Sequence, residues 1–234
     1  MSSGLKTFVF AGVLCLVCSV LLTTASTGLK SIQLRNVAVD RQKNILKSLG
    51  LVKEEQRYSP AEIETLYQEN VKNLWVDSTG ALVPESDRGD QDLPLYAYLA
   101  DNQIQAYAVP INTRGLWGKI FGYLALESDG TTIRGFTVYK HSETPGLGGE
   151  IEKRWFQKNF EGKKIINREG EFVAIAVAKG DVRQMIPAPD QVNYVDGISG
   201  ATLTGRFLSS GFKEILRDYE PVAIQFRTKN YREQ

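Results

Sequence analysis

The chain has 234 residues, with 28 Lys and Arg against 27 Asp and Glu and a formal net charge of +1. That length allows one large domain or two small ones, each with a buried core. Balanced charge, with no basic run interleaved with aromatics, gives no sign of nucleic-acid binding. A single histidine, His141, leaves no His/Cys constellation for a zinc site.

Thr7–Leu29 contains no charged residue, and Phe8–Leu22 is almost wholly apolar. At about 1.5 Å per helical residue this span reaches roughly 30 Å, the thickness of a bilayer core. Residues 1–30 are expected to form a retained single-span anchor. The competing reading is a cleaved signal peptide, with Lys6 as its basic end and Ala25-Ser26-Thr27 as small residues. The long apolar run and the lack of a clean A-x-A site favour the anchor. Only Lys6 precedes the span, whereas Lys30, Arg35, Arg41 and Lys43 follow it. A positive-inside count therefore keeps the large domain in the cytoplasm. Cys15 and Cys18 lie inside the span as two small apolar residues on one helix face. The rest of the chain then has no disulfide and no iron–sulfur ligands.

Residues 31–94 read as an N-terminal helical subdomain and linker. Val37–Leu49 has helical spacing and Gly50 is a natural stop. Ser59-Pro60-Ala61-Glu62 is a capping box with proline in the first turn, opening a helix to about Val71. Asp77–Pro94 reads as a polar, Gly- and Pro-containing loop. Residues 95–234 form the second domain. Leu95–Ala100 and Ile104–Pro110 are expected strands flanking a turn at Asp101-Asn102-Gln103. Phe121–Leu126 and Ile133–Tyr139 flank a second turn at Ser128-Asp129-Gly130. A helix is expected over Ile151–Phe160, a strand over Phe172–Ala178 and a helix over Leu203–Tyr219. The last helix places Leu203, Phe207, Leu208, Phe212, Ile215 and Leu216 largely on one face. Hairpin-like strand pairs with helices between and after them indicate an α+β fold with antiparallel strands. No G-x-G-x-x-G follows a strand, so no dinucleotide fold and no NADH site are expected.

Two loops carry chemistry. Asp196-Gly197-Ile198-Ser199-Gly200-Ala201-Thr202 runs straight into the last helix. Its small residues allow another molecule to approach the backbone, and a helix start suits a phosphate. The structural alternative is that Ser199 or Thr202 simply caps the helix. Glu143-Thr144-Pro145-Gly146-Leu147-Gly148-Gly149-Glu150 has little side-chain bulk, one central apolar residue and a carboxylate at each end. Alone it reads as an ordinary turn.

Together, E-T-P-G-L-G-G and D-G-I-S-G-A-T resemble the NqrC family, the flavin-binding subunits of the sodium-translocating NADH:quinone reductase. The related FMN-binding subunit of the RNF electron-transport complex shares both motifs. Arg41–Leu46 after the apolar segment, Gly115-Leu116-Trp117 and Leu124–Glu127 look more like the NqrC pattern. The resemblance implies an extramembrane FMN-binding domain with FMN attached covalently to Thr202 through a phosphoester. It implies a separate flavin transferase, with FAD as donor, that recognises the D-G-x-S-G-A-T run. It also implies a place in the bacterial inner membrane with the domain on the periplasmic side, against the charge count. In that setting the chain relays electrons among the other subunits of a complex that couples NADH oxidation and quinone reduction to sodium export. It is not catalytic alone.

Around Thr202 the expected cofactor-binding residues are Ser199, Gly200, Ala201 and Asp196, with Glu143, Thr144, Leu147, Gly148 and Trp117 opposite. Asp196 either serves transferase recognition or fixes its turn by an Asx-type bond. The glycine-rich loop is expected to offer backbone N–H groups to the polar edge of the isoalloxazine, with Leu147 on its face. Glu143 is either part of that contact or an exposed carboxylate, and Trp117 either stacks near the flavin or sits in the core. The alternatives to an NqrC-type subunit are an RNF-type carrier and a membrane-anchored domain that binds a phosphorylated ligand without redox chemistry.

Overall fold

Helix α1 (Ser3–Ser48) joins the apolar N-terminal run and the separately expected 37–49 helix into one element. No proline interrupts the sequence between them. The computed structural model describes residues 3–53 and 56–228. Residues 1–2 of the expected anchor, 54–55 of the expected subdomain and 229–234 of the expected second domain lie outside this range. The chain divides into two compact units, Met1–Asp40 and Arg41–Gln234.

The first unit is the N-terminal part of α1, a candidate membrane span by length and composition. Its most apolar 18-residue window has a mean hydropathy of 2.4. Phe8, Phe10, Leu16 and Leu22 are all exposed, and both cysteines are free thiols on the same exposed surface.

The second unit begins with the end of α1, closed by Gly50 at φ +70. The Leu51 N–H donates to Leu46 O at 2.9 Å and the Gly50 N–H to Lys47 O at 3.0 Å. These two bonds satisfy carbonyls the helix leaves open, as a left-handed glycine stop does. Helix α2 (Pro60–Asn70) opens with the expected capping box, Ser59 N–H bonding Glu62 Oε2 at 2.6 Å and Glu62 N–H bonding Ser59 Oγ at 3.3 Å.

A six-stranded antiparallel sheet follows, in the order β2-β1-β3-β4-β5-β6. Its strands are β1 (Val71–Val76), β2 (Leu82–Val83), β3 (Leu93–Ala100), β4 (Gln103–Arg114), β5 (Lys119–Glu127) and β6 (Ile133–Lys140). Strand β1 starts where α2 ends and pairs with β3, Val71 opposite Tyr98. The expected loop 77–94 contains β2 and the first residues of β3. The first hairpin turn is tighter than expected. Asp101 and Asn102 both have positive φ, 52° and 59°, and Gln103 already pairs with Ala100. Two left-handed residues match the twist of the flanking strands. At the second turn the Asp129 carboxylate accepts from Thr131 N–H and Thr132 N–H, both at 2.8 Å, and from the Thr132 hydroxyl at 2.6 Å.

The remaining elements are α3 (Arg154–Lys158), β7 (Ala176–Val177), α4 (Val182–Met185), β8 (Tyr194–Val195), α5 (Thr202–Asp218) and α6 (Glu220–Arg227). One sheet face sends Tyr107, Val109 and Ile111 of β4, Leu124 of β5 and Phe136 of β6 into the main core, at the period of two a strand requires. Helix α5 covers that face. Phe212 lies 5.3 Å from Phe136 and 5.5 Å from Phe160, ring to ring. Gly211 presses so closely on Thr113 of β4 that a Cβ would collide with its side chain. Truncating a fully buried phenylalanine such as Phe212 costs about 3–5 kcal/mol, so this packing holds α5 firmly on the sheet.

Three expectations are corrected. The 151–160 helix is a short 3-10 turn, Gly148–Glu152, followed by the five-residue α3, with Lys153 extended between them. Ile151, Phe156 and Phe160 are all buried. A five-residue step on one helix turns a side chain about 140° away, and the break at Lys153 brings all three inward. The 172–178 strand shrinks to β7 because Ala174 has φ +66, outside the strand region. Leu203 leaves the apolar stripe of α5: it is exposed, and the buried row is Thr204, Leu208, Phe212 and Leu216.

Candidate functional site

Three segments meet at the N-terminus of α5: the β4–β5 turn, the loop after β6 and the D-G-I-S-G-A-T run. Ile198–Ala201 forms a tight turn, the Ala201 N–H donating to Ile198 O at 3.0 Å. Gly200 supplies the positive φ of +74 that this turn needs at its third position. The N-cap is Ala201, which has no side-chain oxygen. Neither Ser199 nor Thr202 caps the helix. Thr202 is the first residue of α5 and is exposed.

The two motifs touch. A Cβ on Gly200 would meet Leu147 Cδ2 at 2.7 Å, and one on Gly148 would meet Thr204 Oγ1 at 2.6 Å and Glu143 Oε2 at 2.7 Å. Glu143 is neither exposed nor free, being only 5 % accessible. Its Oε1 accepts the Trp117 N–H at 3.0 Å and its Oε2 accepts the Thr204 hydroxyl at 2.5 Å. Its own N–H donates to His141 Nδ1 at 3.1 Å, and His141 Nε2 lies 3.2 Å from Glu152 Oε2. With Nδ1 accepting, a neutral imidazole carries its proton on Nε2. The Lys153 ammonium first, and His141 second, hold the Glu152 carboxyl below its ordinary pKa.

These contacts frame an open cavity of about 330 Å³. Its walls include Trp117, Glu143, Thr144, Leu147 and Gly148 from one side and Gly200, Ala201 and Thr202 from the other. Trp117 is 69 % exposed, so it belongs to this rim and not to the core. Leu116, Leu203 and Thr204 also line the cavity, and sequence reasoning did not place them at the site. Thr204 carried a readable signal, a polar residue four before Leu208 on the buried stripe of a helix. Two of the loop amides, Leu147 N–H and Gly149 N–H, already donate to Thr144 O at 3.2 and 2.9 Å. Ser199 and Asp196 are not among the cavity residues. The Asp196 carboxylate instead accepts the Val182 N–H of α4 at 2.8 Å.

An FMN-binding domain family matches residues 115–217, a stretch that contains every residue lining the cavity. NqrC of the Na(+)-translocating NADH-quinone reductase from Yersinia pestis is 32% identical, over 88% of this chain and 86% of its own length. The Haemophilus ducreyi NqrC is 34% identical over 86% of this chain and 84% of its own. The chain belongs to the NqrC family. A crystal structure of NqrC from Parabacteroides distasonis is similar, with 33% identity and a TM-score of 0.70 over 83% of this chain and 96% of that one. NqrC from Shewanella oneidensis, 22% identical with a TM-score of 0.65, shares the fold over 83% of this chain and 98% of that one. The expected α+β architecture, an apolar N-terminal helix followed by an antiparallel FMN-binding domain with flanking helices, is therefore that of the NqrC family.

The residues present fit FMN. The cavity falls within the roughly 300–1,000 Å³ range of small-molecule sites. It combines an aromatic and aliphatic wall for a flat ring with a hydroxyl at its edge. Gly148 and Gly200 keep the wall clear where a side chain would intrude.

Proposed function

We propose that this chain carries FMN on Thr202 through a phosphoester and relays electrons within a membrane complex that couples NADH oxidation and quinone reduction to sodium export. The observation that carries this reading is the convergence of both motifs on one cavity with Thr202 exposed at its edge. The bound FMN supplies one-electron redox chemistry. Leu116, Trp117, Leu147 and Leu203 give the ring an apolar bed, while Glu143 braces the bed from beneath.

Thr202 is a modification acceptor. Its Oγ forms a bond to the flavin-side phosphorus of FAD as the diphosphate P–O bond breaks and AMP leaves, and a base on the transferase takes the hydroxyl proton. A threonine hydroxyl needs such a base. Both ring nitrogens of His141, the sole histidine, are engaged elsewhere. The span over residues 7–29 has no charged side chain to line an ion path, so sodium conduction falls to other subunits. In this reading α1 anchors the chain in the bacterial inner membrane and the FMN-binding domain faces the periplasm.

The test is ultraviolet fluorescence of the denatured protein band after expression of the full chain with a flavin transferase. The expected result is a fluorescent band. A dark band from protein that still binds phosphorylated compounds would overturn the flavin reading in favour of a phospho-ligand domain without redox chemistry.

A further inference from the structure

A second cavity, of about 650 Å³, opens on the other side of Thr202 and is lined in part by Lys179, Arg206, Ser209 and Ser210. Thr202 is the one residue common to this cavity and the apolar one. The two differ in chemistry: the first is walled by Leu116, Trp117, Leu147 and Leu203, the second carries two cations. Neither the Lys179 ammonium nor the Arg206 guanidinium has a hydrogen-bond or ion-pair partner among the described residues.

Both cations are placed by the fold. Arg206 is four residues after Thr202 on α5, and helical side chains lean toward the N-terminus, so Arg206 reaches back over Thr202. Lys179 sits on a segment fixed at both ends. The Ala178 N–H donates to Val195 O and the Gly197 N–H to Gly180 O, each at 2.9 Å. Any Cβ on Gly197 would collide with Ala178 O, so only glycine lets residues 178–180 lie this close to the attachment loop. The Asp196 carboxylate secures the start of α4 just beyond Lys179. The Asp-Gly pair that opens the attachment motif thus holds Lys179 on the wall of the cavity that Thr202 also lines. The Ser209 hydroxyl, by contrast, is committed, donating to Gly205 O at 2.7 Å and accepting the Val177 N–H at 2.9 Å.

We propose that Lys179 and Arg206 form the phosphate half of the site, binding the phosphoester on Thr202 while the apolar cavity takes the ring. This rests on the reading of Thr202 as the covalent attachment residue. A phosphodiester keeps one negative charge at neutral pH. An arginine fork and an ammonium are the side chains that bind such a group with charge-assisted hydrogen bonds. Division of the ligand between two cavities also explains why the attachment point stands on the ridge between them.

The experiment uses full-length protein in detergent, loaded by a flavin transferase and FAD. Lys179→Gln, Arg206→Gln and the pair are compared with the parent by gel fluorescence and by the 31P resonance of the purified loaded fraction. Lys213→Gln, an exposed charge removed elsewhere on α5, is the control, and Thr202→Ala is the check on attachment. The expected result is a 31P resonance moved in both single variants and moved further in the pair, with initial loading slowed about tenfold in the pair, the size of one lost charge-assisted hydrogen bond. An unchanged 31P resonance in the pair overturns the proposal even if loading slows, because slow loading alone would place these cations in transferase recognition. A fluorescent Thr202→Ala band would instead overturn the attachment reading itself, and this proposal with it.

Discussion

The Thr204 hydroxyl donates to Glu143 Oε2 at 2.5 Å, joining the first turn of α5 to the loop after β6. Both residues are buried, Thr204 at 1 % and Glu143 at 5 % accessibility. Through its other oxygen Glu143 also holds the Trp117 backbone at 3.0 Å. One carboxylate thereby fixes all three segments of the candidate site. It acts as a brace behind the cavity wall, with no oxygen left unpaired.

A double-mutant cycle measures this brace. Glu143→Ala removes both acceptors and leaves the buried Thr204 hydroxyl unsatisfied, while Thr204→Val removes the donor at nearly constant volume. Hydrogen bonds to a charged group contribute about 1.5–3 kcal/mol, so the expected coupling energy in denaturant unfolding is about 1–3 kcal/mol. Additive effects of the two substitutions would mean the bond does not hold the segments together.

Gly148 lies between the braced groups, which sets the outcome of enlarging it. Gly148→Val should lower stability by about 1–3 kcal/mol through overpacking against Thr204 and Glu143. Attachment at Thr202 should persist, while the flavin absorption spectrum or potential shifts as the wall is displaced. An unaltered spectrum and potential would place the flavin away from this loop.

How much of this was legible in the sequence depends on the residue pattern in each element. The hairpins could be read because Asp101-Asn102 and Asp129-Gly130 are turn residues between alternating strands. The capping box at Ser59 and the 3.6-residue stripe of Leu208, Phe212 and Leu216 were equally direct. Strand β1 was hidden because it follows α2 without a spacer, and its apolar positions 71, 74, 75 and 76 do not alternate cleanly. The break at Lys153 and the positive φ of Ala174 answer to tertiary packing, which local propensity does not encode. At the site, the two motifs and Trp117 were legible as residues. The pairing of Glu143 with Thr204 was not, because it joins positions 61 apart.

The Asp129 turn gives a pH dependence. Burial raises the pKa of its carboxyl, but the donors of Thr132 and Thr131 outweigh that, and the net shift is downward. A depressed folded-state pKa means a stabilisation present above the unfolded value of about 3.9 and lost as pH falls through the lower folded value. Unfolding of the parent and of Asp129→Asn should therefore differ most at pH 5 and above, by roughly the few tenths to 1 kcal/mol of an exposed turn carboxylate. The gap should narrow as pH falls below the unfolded value of about 3.9 and through the lower folded one. A gap that widened on acidification would contradict the assignment of these bonds.

Topology separates the charge count from the family resemblance. A reporter active only outside the cytoplasm, fused after Gln234, is expected to be active, and N-terminal sequencing of membrane-extracted protein should start at or near Met1. An inactive reporter would put the FMN-binding domain on the cytoplasmic side. A start near Ser26 would mean that the apolar segment is cleaved and that partner subunits alone hold the chain at the membrane.

Peptide mapping of the loaded protein tests Thr202 most directly. Trypsin cleavage after Arg183 and Arg206 releases residues 184–206, which contain Ser199, Thr202 and Thr204. The expected spectrum shows this peptide heavier by FMN less one water, with fragment ions assigning the added mass to Thr202 and none of it in Thr202→Ala. The same added mass in Thr202→Ala, or fragments placing it on Ser199 or Thr204, would contradict attachment at Thr202.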